Sequence, residues 1–177
     1  MFRLKDTILS KLAPQAIAFL KQLDALNAPP VEQVPVEVAR DNYEKLSRYQ
    51  GGIPLSVART EDRLIPSTMR KMGIPIRIYW PTLETLPLLI YFHGGGWSRG
   101  SLNTHDALCR RIAREGKCIV VSVDYRLAPE NPYPAAMQDA HVIYVWCHQN
   151  AGLIGADPRR IAVGGDSGGG GVLFQRH

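Results

Sequence analysis

Cysteine is scarce in this 177-residue chain: Cys109, Cys118 and Cys147 are its three. They are odd in number and show no C-x-x-C spacing, so neither a disulfide framework nor a zinc site is indicated. Buried, reduced thiols are the expectation. Long apolar runs are missing as well. The longest nearly uninterrupted one, Leu86 to Phe92, falls far short of the roughly 20 residues that a membrane-spanning helix needs, so no membrane span is expected. The N-terminus, Met1-Phe2-Arg3-Leu4-Lys5-Asp6, leads into no apolar stretch or small-residue cleavage site. No secretory signal is therefore expected, and the cytoplasm is the default location. Internal repeats and low-complexity tracts are absent too. What is present, 45% hydrophobic and 21% charged residues, is the balance of a globular domain and not of a disordered, collagen-like or coiled-coil chain. The net charge is +5, yet the basic residues are spread along the chain. Their densest cluster, Arg110, Arg111, Arg114 and Lys117, lies on one short helical segment without interleaved aromatics. A solvated helix face is the preferred reading over a nucleic-acid patch, and no nucleic-acid partner is expected.

Hydrophobic spacing divides the chain. Residues 12–27 place Ala16, Phe19, Leu20, Leu23 and Leu26 at helical intervals, and a second helical pattern runs from about 36 to 48 with Ala39, Tyr43 and Leu46 on one face and Gly51-Gly52 as its stop. The first fifty or so residues are thus read as helical. Segments 61–66 and 74–80 read as two extended stretches joined by a polar linker, 67–73, and look like an antiparallel opening pair. From Leu86 onward short apolar runs (88–92, 118–123, 161–163) alternate with helical patterns (104–114, 134–149). This predicts an α/β chain with a parallel sheet covered by helices. Asn103 or Thr104 is the expected N-cap of the first of these helices, with Leu108 and Ile112 inward; Pro134 opens the second, which turns Ala136, Ala140, Ile143 and Cys147 to the sheet.

Two segments carry chemistry. Gly165-Asp166-Ser167-Gly168-Gly169 fits G-x-S-x-G and follows the strand-like run 160–164. A serine at a sharp strand-to-helix turn needs a strained backbone, and glycines two positions either side keep Cβ atoms out of the elbow. Ser167 would present its hydroxyl above the sheet, with the Gly168 N–H aimed at a developing oxyanion. A Gly-rich turn with an incidental serine explains the pentapeptide by itself equally well. The second segment, His93-Gly94-Gly95-Gly96-Trp97, follows the strand 88–92. Successive glycines there free backbone N–H groups to face an anion, as in the oxyanion loops of lipases and esterases. A phosphate cradle is disfavoured, since G-x-x-x-x-G-K-[ST] is absent and Arg99 stands where a dinucleotide fingerprint wants glycine. His93 is expected to brace the loop and not to ligate metal, there being no second ligand at metal spacing. No metal or organic cofactor is called for.

With these residues in view, the sequence resembles the hormone-sensitive-lipase-like branch of the α/β-hydrolases. The likeness rests on residues 93–97, on Asn103-Thr104-His105-Asp106, on the block from Asp124 to Ala136 (DYRLAPENPYPAA), and on Gly155-Ala156-Asp157-Pro158 leading to 165–169. It implies an α/β-hydrolase fold, here its N-terminal part only, with residues 1–52 forming cap helices over an acyl pocket and 53–177 the first part of the hydrolase domain. It implies a carboxylic-ester hydrolase acting on short- to medium-chain small-molecule esters, with Ser167 as nucleophile, Gly94, Gly95, Gly96 and Gly168 as oxyanion donors, and His93 and Asp166 as loop support. The full-length form leaves room for a homo-oligomer. Two departures are visible: Asn131 stands where the family usually has His, and Gly168 where Ala is usual.

A larger departure concerns the triad. In this fold the acid and base follow the serine, yet residues 168–177 contain no carboxylate side chain and only the terminal His177. Asp139, His141 and His148 fall within a sheet-covering helix, and His105 and Asp106 begin another; structural roles are expected for all of them. Without a positioned base a serine hydroxyl is a weak nucleophile. The expectation is therefore an inactive fragment of an esterase, shortened by a premature stop, a frameshift or an incomplete gene model. The alternative is a non-catalytic small-molecule-binding protein on the same scaffold, similar to the plant gibberellin receptors. A trypsin-like protease, whose G-D-S-G-G-P the serine segment resembles, is disfavoured because that fold is all-β and places His and Asp before Ser. Trp97 either shapes the acyl pocket or packs beneath the cap.

Overall fold

The computed structural model of the chain describes residues 11–25 and 29–173. Two compact units are distinguished, Met1–Ala39 and Arg40–His177. In the first, helix α1 (Pro14–Ala25) opens on Pro14, whose missing N–H removes no helical bond in the first turn. Ala16, Phe19, Leu20 and Leu23 are half-buried along one stripe, as their spacing predicts; Leu26 lies outside the described residues. A 3₁₀ turn at Val31–Gln33 precedes α2 (Val36–Gln50), which belongs to the second unit from Arg40 on. Gly51 and Gly52 stop it, Gly52 at φ +68°, a conformation glycine reaches without a Cβ clash.

The second unit is built on β1 (Arg59–Ser67), β2 (Arg70–Trp80), β3 (Leu86–Phe92), β4 (Ile119–Val123) and β5 (Ala156–Gly165). They form one sheet in the order β1-β2-β4-β3-β5. The β1–β2 and β2–β4 pairs are antiparallel, whereas β3 runs parallel to both β4 and β5. Helices α3 (Asp106–Gly116) and α4 (Ala135–Asn150) make the crossovers that parallel neighbours require. Side chains alternate strictly along the central strands. Leu88, Ile90 and Phe92, with Ile119, Val121 and Val123, pack with Ile143 and Cys147 of α4. Tyr91 and Val120 join Tyr79, Cys109 and Ala113 in a smaller core under α3. Both faces are thus covered, which is why these strands read as continuous apolar runs.

Several boundaries differ from expectation. The linker 67–73 is mostly strand: Ser67 accepts the Met69 N–H on its hydroxyl at 3.1 Å, and that local bond tightens the turn so that Arg70–Gly73 join β2. Helix α3 starts at Asp106 with His105 in the capping position and no side-chain cap, because the Thr104 hydroxyl bonds back to the Ser101 carbonyl at 2.9 Å. Its inward residues are Cys109 and Ala113, while Leu108 is 41% exposed. Small side chains let the helix approach Tyr79 and Tyr91; Ile112 packs half-buried against the same core, as expected, and Leu108 alone of the expected pair turns outward. Pro134 caps α4 instead of opening it. Strand β5 reaches back to Ala156, which pairs with Leu86; among the described residues it has β3 as its sole strand neighbour. Cys109 and Cys147 are buried free thiols, and Cys118 is half-buried.

Asp139, on α4, is fully buried, and its carboxylate accepts the Arg126 backbone N–H at 2.9 Å and the guanidinium at 3.0 Å. Removing one member of such a pair strands the other charge, at about 3–5 kcal/mol. Asp139→Ala is expected to lower the urea unfolding midpoint by that equivalent, with Asp139→Asn less damaging; wild-type stability in the alanine variant would refute the structural role.

Candidate active site

Strands β3 and β5 are parallel neighbours, and Phe92 pairs with Gly165 at their carboxyl ends. The two segments beyond those ends, 93–97 and 166–169, therefore leave the same end of the sheet side by side, the position at which open α/β sheets build their sites. The glycines are needed at contact distance. A Cβ at Gly165 would lie 2.9 Å from the Gly169 carbonyl carbon, and one at Gly169 would fall on the Phe92 carbonyl oxygen. At Gly168 a Cβ would lie 3.2 Å from the Gly96 nitrogen and 3.3 Å from that of Trp97. The serine elbow thus abuts the triple-glycine loop directly.

Ser167 holds φ at +47°, the left-handed region that residues with a Cβ avoid. The short helix α5 (Gly168–Leu173) holds this strain in place, beginning with the Gly169 N–H donating to the Asp166 carbonyl at 2.8 Å. Ser167 itself is exposed. The backbone N–H groups of Gly95, Gly96 and Gly168 have no acceptor among the described residues.

Asp166 locks the two segments together. One oxygen of its carboxylate accepts the Gly94 N–H at 2.8 Å and the Tyr91 hydroxyl at 2.7 Å, and lies 3.2 Å from His105 Nε2. Burial pulls this carboxyl upward, but the Tyr91 hydroxyl, His105 and the Gly94 N–H together outweigh burial and hold it below the usual carboxyl value. Tyr91 is correspondingly pushed up, by burial first and by the Asp166 carboxylate second. His93 is fully buried. Its Nδ1 lies 2.9 Å from the Gly94 oxygen, its ring stacks on Tyr125 at 4.4 Å, and Tyr125 donates its hydroxyl to the His93 carbonyl at 2.6 Å. Burial lowers the imidazole to about 4.

Ser167, Gly94, Gly95, Gly96, Gly168, His93 and Asp166 are thus brought to one place. His177 lies outside the described residues. His148 is exposed, Asp139 is bound to Arg126, and His105, in the capping position before α3, faces Asp166. Sequence reasoning missed Tyr91 and Arg40. Tyr91 sits one alternation away from the core-facing Phe92, a pattern that indicates its face but no partner. Arg40 donates to the Ser98 carbonyl at 2.8 Å, the Ala128 carbonyl at 2.9 Å and both oxygens of Glu130, pushing Glu130 down to about 2. It ties the end of the glycine loop to the 124–136 segment, and nothing in its helical context signals that.

Comparison with known proteins agrees with this fold. Residues 89–175 match the family described as alpha/beta hydrolase fold. The carboxylesterase NlhH of Mycobacterium tuberculosis is 46% identical over 139 residues, covering 77% of this chain and 43% of the relative. Among solved structures, the ester-hydrolase EH1AB1 from the Lake Arreo metagenome, complexed with a bipyridine phosphonate derivative, superposes with a TM-score of 0.85 at 38% identity, over 91% of this chain and 52% of that one. The hyperthermophilic esterase of Pyrobaculum calidifontis gives 0.82 at 41% identity, over 91% and 51%. The chain spans about half the length of the relatives it matches.

Folding depresses the His93 value from an ordinary 6.5 to about 4, so the folded state binds that proton less readily than the unfolded chain. The stability held by keeping His93 neutral is complete above pH 6.5 and is lost as the pH falls towards 4, by roughly 3 kcal/mol at most. Asp166, also depressed, extends the loss in the same direction. Imidazole NMR titration is expected to show His93 neutral at pH 5, and denaturant midpoints to fall between pH 6.5 and 4; a normal titration near 6.5 would contradict the buried arrangement.

Proposed function

Because the chain belongs to the α/β-hydrolase fold family, we propose that it carries the nucleophile half of a carboxylic-ester hydrolase acting on short- to medium-chain small-molecule esters in the cytoplasm. Ser167 attacks the ester carbonyl. The developing oxyanion is received by the N–H groups of Gly95, Gly96 and Gly168, each such donor being worth about 10²–10³ in rate. Gly94 serves differently from its neighbours: its N–H is taken by Asp166, so it anchors the loop instead of donating to substrate. Release of the alcohol leaves an acyl-serine, which water then hydrolyses. The observation that supports this reading most is the 3.2 Å between the Cβ position of Gly168 and the Gly96 nitrogen, which sets the elbow against the loop.

The mechanism also needs an imidazole to take the serine proton and a carboxylate to orient it. The 177 residues supply neither downstream of Ser167 except the terminal His177, and alone they are expected to be inactive. Two assays test that expectation. The chain by itself should release p-nitrophenol from p-nitrophenyl butanoate no faster than its Ser167→Ala variant. Completed with the residues beyond the elbow of the Pyrobaculum calidifontis esterase, it should turn the ester over, and Ser167→Ala should cut kcat by at least about 10³-fold. A folded, completed chain that binds butanoate without turnover would replace hydrolysis by ligand binding; one whose activity survives Ser167→Ala would remove the serine from its role.

A further inference from the structure

Asp166 takes its three donors on one oxygen, and two of them come from a single segment: the Tyr91 hydroxyl lies in β3 and the Gly94 N–H just beyond it. With those two alone the carboxylate would be held from one strand only. Its side chain is 43% exposed, so solvent competes for both oxygens. The third donor, His105 Nε2 at 3.2 Å, comes from the other side, just ahead of α3. His105 is itself buried, among the rings of Tyr43, Tyr91 and His93 at 6.4, 6.1 and 5.6 Å.

The partners decide which nitrogen carries the proton. Burial holds the imidazole below its ordinary value, against the pull of Asp166, so at neutral pH the ring has one N–H. A carboxylate only accepts, which puts that hydrogen on Nε2. Nδ1 is then an acceptor, and the Thr104 hydroxyl stands 2.8 Å from it. The same hydroxyl reaches the Ser101 carbonyl at 2.9 Å. Its one hydrogen is shared between the two while the ring is neutral and stays with the carbonyl once Nδ1 is protonated, so Nε2 keeps its own hydrogen in both charge states. Ser101 is fixed in turn: its N–H donates to Thr104 Oγ1 at 3.0 Å, and its hydroxyl donates to the Glu44 carboxylate of α2. A line of hydrogen bonds therefore runs from α2 through Ser101, Thr104 and His105 to the carboxylate that anchors the glycine loop.

We propose that His105 is a positioning residue for the glycine loop: its Nε2–H holds the Asp166 carboxylate in the orientation that keeps Gly94 pinned, and with it the N–H groups of Gly95 and Gly96 beside the serine elbow. The inference rests on the hydrolase reading, since it takes those N–H groups as the place of the ester oxygen.

The test follows the 177-residue chain by NMR. Long-range proton–nitrogen spectra at neutral pH should show His105 protonated on Nε2 and bare on Nδ1; the opposite tautomer overturns the inference without any variant. His105→Leu fills the space but offers no donor, and should speed exchange of the Gly94 N–H at least about tenfold. The Gly155 N–H, bonded to the Gly152 carbonyl at 3.1 Å before the start of β5, serves as the unchanged reference. His105→Gln puts an amide N–H where Nε2 stood and a carbonyl towards Thr104, and should bring exchange back to within about threefold of wild type. Acetate, a probe carboxylate, is titrated in parallel against the Gly95, Gly96 and Gly168 N–H signals and should bind His105→Leu at least about threefold more weakly than wild type or His105→Gln. An unchanged Gly94 N–H or acetate affinity in a folded His105→Leu, or no recovery in His105→Gln, overturns the inference and leaves the hydrolase reading intact. Acetate that moves none of the three signals in the wild type counts instead against the N–H cradle, and the inference falls with it.

Discussion

The Asp166 carboxylate holds the Gly94 N–H, the Tyr91 hydroxyl and the edge of His105 at once, and the rest of the site hangs from that junction. It joins the residue before the serine to the first glycine of the facing loop and to the first turn of α3. A carboxylate serving several donors is well satisfied only as an anion, so the same contacts that fix the loop keep Asp166 charged. The sheet makes the junction available: parallel pairing of Phe92 with Gly165 ends both strands at one level.

Around this junction the chain trades backbone comfort for access. Ser167 and Trp97 sit in a conformation that side chains disfavour, and glycines at 165 and 169 remove the atoms that would otherwise collide. The compensation is spread over ordinary interactions. Tyr125 braces His93, Arg40 clamps the far end of the loop, and the Arg126–Asp139 pair fixes the start of the segment that Arg40 grips. None of these contributors touches the serine, yet each restricts how the loop can move relative to it.

Short continuous apolar runs made the central strands legible, because both their faces are buried, and glycine spacing made the elbow and loop legible, because close approach demands it. Less local features were hidden. Leu108 reads as inward and is exposed, since the space beneath α3 is already filled by Tyr79 and Tyr91 and is closed by Cys109 and Ala113 with Ile112 at its edge. The N-cap expected at Asn103 or Thr104 was lost to a competing bond within the loop. Tyr91 and Arg40 act through partners 75 and, for Glu130, 90 residues away, and no spacing rule reaches that far. Arg126 and Asp139 were visible as residues but their pairing was not.

The helix that presents the serine begins Gly168-Gly169-Gly170-Gly171, and each glycine there sacrifices about 1 kcal/mol of intrinsic helicity against alanine. Such a turn scarcely holds its own shape. It is kept wound by the strand ends beneath it and by the Trp97 indole resting against Gly171, so the order of Ser167 is borrowed from the sheet. Anything that loosens the tip of β3 or β5 would unwind the elbow first, and the placement of Ser167 against the glycine loop would be lost while the hydrophobic layers behind it stayed packed.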